Sequence, residues 1–176
     1  MNTRSGAPDR ASDLTRCPVE FRLAGVLRSR GLTLATAESC TGGLVAHRIT
    51  SVPGSSDYFL GGVVSYSNEL KESLLGVPAS ILQGRGAVSR ECALAMAAGV
   101  RERTGASVGL ATTGIAGPAG GTARKPVGLV YVACATPWGS VAAEFHFPGD
   151  RGSNIRASAE AALNLVLEQL ERRPGE

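Results

Sequence analysis

Histidine and lysine are both scarce in this chain, with two of each, His47, His146, Lys71 and Lys125, in 176 residues. Chemistry that needs several histidines has little to draw on. Aromatic residues make up only 5% and no run of basic residues stands out, so the stacking platform and basic face of a nucleic-acid binder are missing. No stretch of about 18 apolar residues occurs, so no helical membrane span is expected, and the polar N-terminus lacks the apolar segment of a signal peptide. The four cysteines, Cys17, Cys40, Cys92 and Cys134, form no CxxC pair. Zinc-ligand spacing is therefore absent, and neither a metal nor a cofactor is expected. Reduced thiols in a cytoplasmic protein are the simplest reading.

What remains is an ordinary globular balance, with 43% hydrophobic and 19% charged residues and a net charge of +3, in a length suited to one core. The 23 glycines come in clusters without a fixed period, which excludes repeat architectures and suggests tight turns or close approach to a ligand. Residues 1–17 read as a flexible polar extension and 18–173 as the folded domain. Apolar spacing predicts helices over 18–30, 44–50, 68–75 and 90–103 and a last one carrying Ile155, Ala159, Ala162, Leu163, Val166 and Leu170 on one face. Strands are expected over 32–37, 59–65, 108–112, 127–135 and 140–147. Helices and strands alternate at first, and the last two strands are joined only by the turn at 136–139. The expected fold is a three-layer α/β/α sandwich with a mixed, mostly parallel sheet.

Three segments can carry chemistry. The loop Glu38-Ser39-Cys40-Thr41-Gly42-Gly43 joins a strand to a helix, where free N–H groups and the positive helix end face outward. A hydroxyl there can attack a carbonyl, but Ser39 or Thr41 can equally cap the helix, and Cys40 is either a second nucleophile or a small buried apolar residue. A serine needs a base. Neither His47 nor His146 has an acid beside it in the pattern of a triad. Lys71 follows the strand end at Tyr66-Ser67-Asn68 and can act as base if its surroundings favour the neutral amine; otherwise it is a solvated helix lysine. The third segment, Thr113 to Thr122, is a glycine-rich loop after an apolar strand. It can wrap N–H groups around phosphate, yet it lacks both GxxxxGK[ST] and GxGxxG.

Taken together, Ala37-Glu38-Ser39-Cys40-Thr41-Gly42-Gly43, Tyr66-Ser67-Asn68 with Lys71, Leu75-Gly76-Val77, Thr113-Gly114-Ile115-Ala116-Gly117-Pro118, Lys125-Pro126-Val127-Gly128 and Gly149-Asp150-Arg151 with Ile155-Arg156 resemble the CinA carboxy-terminal domain family, the nicotinamide-nucleotide amidases. The resemblance runs from about residue 20 to residue 170. It implies hydrolysis of nicotinamide mononucleotide to nicotinate mononucleotide and ammonia in pyridine-nucleotide salvage, by a metal-free serine–lysine mechanism. Ser39 matches the nucleophile, Lys71 the base, and Tyr66 a tyrosine beside them. Cys40, Thr41, Gly42, Gly43, Asn68, Thr113, Gly114, Gly117 and Arg156 are the expected substrate contacts. The alternative is a nucleotide-binding module of the same fold without turnover. A homo-oligomer, with a dimer favoured, is the expected assembly, and neither nucleic acid nor membrane is an expected partner.

Overall fold

Capping signals set the helix ends in a computed structural model, which describes residues 17–172. The extension expected over 1–17 lies almost wholly outside the described residues. Among the latter are six α-helices: α1 (Val19–Ser29), α2 (Leu44–Thr50), α3 (Asn68–Leu75), α4 (Ala79–Gly84), α5 (Arg90–Thr104) and α6 (Arg151–Glu171). Ser67, Ser89 and Asp150 cap α3, α5 and α6, each side chain accepting the N–H three residues on.

The strands are β1 (Leu34–Glu38), β2 (Phe59–Val64), β3 (Val108–Gly114), β4 (Leu129–Thr136) and β5 (Gly139–His146). They form one sheet in the order β2-β1-β3-β4-β5. β1 pairs in parallel with β2 and β3, while β3–β4 and β4–β5 are antiparallel. Four of the five strands thus run one way, as expected of a mixed, mostly parallel sheet. β3 is longer than expected by two residues, because Thr113 and Gly114 still pair with Tyr131 and Val130. The short helix α4 went unforeseen: it has six residues and buries only Leu82, too little for a periodic signal.

The two faces of the sheet are packed differently. One face meets α1, α2 and α6 through bulky residues such as Leu34, Leu110, Val130 and Val132. The other meets α3, α4 and α5 through Ala35, Ala37, Ala111, Ala133, Ala135 and Ala142. Small residues let α5 lie close. A Cβ on Gly109 would fall 2.1 Å from the Ala97 carbonyl oxygen, far inside contact distance, so only glycine fits there.

The chain leaves β1 outward to β2 on one side and returns through α5 to β3 on the other. The strand order therefore reverses between β1 and β3. At such a switch point, a crevice opens beyond the carboxyl ends of the strands.

Candidate active site

Ser39 is the first residue after β1 and continues its alternation. Leu34 and, by that alternation, Thr36 and Glu38 face the α1/α2/α6 layer, while Ala35, Ala37 and hence Ser39 face the α3/α5 layer. Lys71, on α3, enters from that second layer. Its Nζ lies 3.1 Å from Ser39 Oγ. It donates to the Ser65 carbonyl at 2.7 Å and reaches the Tyr66 carbonyl at 3.4 Å. Lys71 is only 1% exposed, and burial pushes its pKa below the ordinary lysine value. A neutral amine has two N–H bonds and one lone pair. The two carbonyls take the former, and the latter is left facing the Ser39 hydroxyl.

Glu38 holds the serine loop from behind. Its carboxylate accepts the Thr41 hydroxyl at 2.6 Å and the N–H groups of Gly43, Val45 and Ala46 at 2.9, 3.0 and 2.8 Å. These are the orphan donors at the start of α2, which a carboxylate satisfies well. The turn leading into α2 needs positive φ at Gly42 and Gly43, 62° and 100°, which glycine adopts without strain. The Ser39 N–H is taken by the Thr112 carbonyl. Among the described residues, Cys40 and Thr41 donate their N–H groups to no other backbone carbonyl, and of the two only Cys40 lines the cavity that holds Ser39.

Ser39 and Lys71 line a cavity of about 280 Å³ together with Cys40, Tyr66, Asn68, Ala87, Val88, Thr113, the Gly114–Gly117 turn, Ala119, Gly120 and Arg151. The Thr113 hydroxyl donates to the Ala87 carbonyl. Cys40 sits in the wall as a protonated thiol, its pKa pushed up to about 12 by burial. Arg151 spans the cavity, donating to the Gly117 carbonyl at 2.9 Å and to the Tyr66 hydroxyl at 3.0 Å. Among the described residues no group of three or more His, Cys, Asp or Glu is placed to hold a metal ion.

Of the residues singled out in the sequence, Ser39, Lys71, Tyr66, Cys40, Asn68, Thr113, Gly114 and Gly117 meet at this cavity. Four do not. Thr41 is buried between Glu38 and Thr112, and Gly42 and Gly43 shape the loop, their N–H groups going to Ser39 and Glu38. Arg156 sits roughly 140° further round α6 than Arg151. It lines a separate depression with Leu44, Arg48, Ala157 and Glu160. Arg151, rather than Arg156, lines this cavity: Asp150 caps the helix, which puts the next residue at the end nearest the crevice. Tyr66 lies beside the pair, as expected. Its backbone carbonyl, not its ring, meets Lys71, and its hydroxyl belongs to Arg151. Neither histidine approaches; His47 is exposed and His146 pairs with Glu144.

The fold and this cavity define an α/β/α sandwich with a buried serine–lysine pair at its switch point. Residues 18–170 match the model of the CinA C-terminal domain, and the chain belongs to that family. Its relatives include CinA-like proteins of Geotalea uraniireducens, 57% identical over 86% of this chain, and Desulfotalea psychrophila, 53% over 82%. Those stretches cover only 36% and 35% of the relatives, so this chain matches about a third of their length. Among solved structures, a competence/damage inducible protein from Agrobacterium tumefaciens superposes with a TM-score of 0.84 at 40% identity. The match covers 88% of this chain and 94% of that one. A CinA superfamily protein from Klebsiella pneumoniae gives 0.85 at 32% identity, covering 88% and 97%.

Proposed function

We propose that the protein hydrolyses the carboxamide of nicotinamide mononucleotide to nicotinate mononucleotide and ammonia, as a step of pyridine-nucleotide salvage. The observation that carries this reading is the 3.1 Å approach of the buried Lys71 amine to Ser39 Oγ. A cavity that only bound a nucleotide would have no use for a desolvated lysine aimed at a hydroxyl.

Lys71 takes the Ser39 proton, and Oγ attacks the amide carbon. The Cys40 N–H, which no backbone carbonyl takes, is the donor of the serine loop at the cavity and stabilises the developing oxyanion. Protonated Lys71 gives its proton to the departing nitrogen, and ammonia leaves. Water then attacks the acyl-enzyme with Lys71 again as base. Arg151 is the permanent cation of the cavity and, with the glycine loop that lines it, receives the phosphate. Binding energy from that remote phosphate positions the amide.

The test is ammonia release by the purified protein. Nicotinamide mononucleotide should turn over, while free nicotinamide and the dephosphorylated riboside should be poor substrates. Ser39→Ala should remove activity with the fold intact. Comparable turnover of nicotinamide and its mononucleotide, or an active Ser39→Ala, would sink the proposal.

A further inference from the structure

Among the described residues, no acid touches the buried Lys71 amine; the buried Glu38 is turned to the other face of the sheet and held by four donors. The three polar neighbours of Lys71, Ser39 Oγ and the carbonyls of Ser65 and Tyr66, are all uncharged. Among the described residues, no Asp or Glu lines the cavity. Of the titratable groups around Lys71, the one carboxylate that favours its ammonium is Glu69, which lies in solvent. Cys40 from the β1 loop and Cys92 from α5 are protonated thiols, pushed up to about 12 and about 11 by burial. Glu69, on its own helix, is exposed, and Arg151 from α6 is a second cation at the cavity. An ammonium at position 71 is therefore under-matched, and a carboxylate delivered beside it is the missing partner.

The proposed reaction makes such a group at that point. In deacylation, water adds to the acyl carbon and Lys71 takes one of its protons. The bond from that carbon to Ser39 Oγ then breaks, and Oγ recovers a proton from Lys71. The carboxylic acid so formed is a much stronger acid than an ammonium and gives its remaining proton to Lys71. Chemistry thus ends on a carboxylate facing an ammonium. The product oxygens are carried by the carbon that Oγ had held, and Oγ lies 3.1 Å from the Lys71 nitrogen, so the carboxylate forms beside that nitrogen.

We infer that this cavity retains the carboxylate nucleotide product as an ion pair with the Lys71 ammonium, so that product binding takes up a proton and inhibition by product strengthens as pH falls. The inference rests on the amidase reading. The amide substrate offers no charge at the same place and binds the neutral amine without proton uptake.

The experiment compares two ligands on Ser39→Ala, which turns neither over. Calorimetry in buffers of different ionisation heat, run across pH, should show nicotinate mononucleotide taking up close to one proton more than nicotinamide mononucleotide. Over the range where free Lys71 is neutral, product affinity should rise about tenfold per unit fall in pH relative to the amide. The phosphate, common to both ligands, cancels in the comparison. With Lys71→Gln added, the difference should vanish. Equal proton uptake by the two ligands, or a difference that survives Lys71→Gln, overturns the inference. If wild-type protein hydrolyses the amide yet uptake is equal, the amidase reading stands and only the inference falls. If wild-type releases no ammonia, the reading falls and takes the inference with it.

Discussion

Glu38 and Lys71 are buried to the same degree, each 1% exposed, on opposite faces of one sheet. Glu38 turns to the α2 face and meets four donors, three of them the N–H groups that a helix start leaves unpaired. Lys71 comes from the α3 face and meets a hydroxyl and two carbonyls. The first group is matched on every side and serves as an anchor. The second is under-matched, its amine is held toward the neutral form, and it stays available for chemistry. Burial alone does not decide what an ionisable side chain does; the partners that meet it there do.

The comparison breaks most sharply at Lys71. Lys71→Arg keeps a cation but cannot supply a neutral base at ordinary pH, so kcat/KM should fall roughly 10³-fold. In the wild type, kcat/KM should rise with pH through a single ionisation below the ordinary lysine value, because the neutral form is active and its fraction grows as protons are removed. Near-normal turnover by Lys71→Arg, or activity that falls with pH over that range, would show that Lys71 is not the base.

Glu38→Gln tests the other side. The amide NH2 would face donors that now point at a carboxylate oxygen, so the α2 start and the serine loop must shift. A displacement of that order costs about 10² in rate, and leaving a buried donor unpaired costs about 1–3 kcal/mol of stability. The expectation is a fall in kcat with KM nearly unchanged, since Arg151 and the glycine loop belong to other elements, together with a lower Tm. A folded Glu38→Gln with kcat within a few-fold of wild type would remove Glu38 from the positioning of Ser39.

Much of this was legible in the sequence, and unevenly so. The helices at 44–50 and 68–75 have the expected bounds because Gly43, Ser67 and Gly76 mark their ends chemically. The strand–loop–helix setting of Ser39 and the isolation of Lys71 pointed to the pair, though only the sheet order brings residues 32 positions apart within 3.1 Å. What was missed depends on direction rather than residue type. Arg151 and Arg156 stand on the same helix and look alike in a sequence, and only the cap at Asp150 and the helical turn separate them. Glu38 went unassigned because alternation sends it away from Ser39, and its partners are backbone N–H groups that carry no sequence signature. The close approach of α5 at Gly109 was not legible either, because a glycine inside an expected strand does not say which helix packs against it.

The smallest expected effect is at Cys40, and it separates adjacency from role. Cys40 follows Ser39, lines the same cavity and is 6% exposed. Lys71 and Arg151 nearby favour its thiolate, but desolvation opposes it and is the largest influence, leaving the pKa at about 12. At neutral pH the thiolate, which is the nucleophilic form, is essentially absent. Cys40→Ala therefore removes one wall atom and leaves its backbone N–H in place. Turnover should stay within about threefold of wild type, and the lost packing of one buried sulfur should cost about 1 kcal/mol, measured by thermal melting beside the ammonia assay. The paired result decides the nucleophile. An inactive Ser39→Ala with an active Cys40→Ala assigns the attack to the hydroxyl that Lys71 faces. An inactive Cys40→Ala that still folds, beside an active Ser39→Ala, would move the nucleophile one residue along and make the 3.1 Å lysine–serine contact incidental.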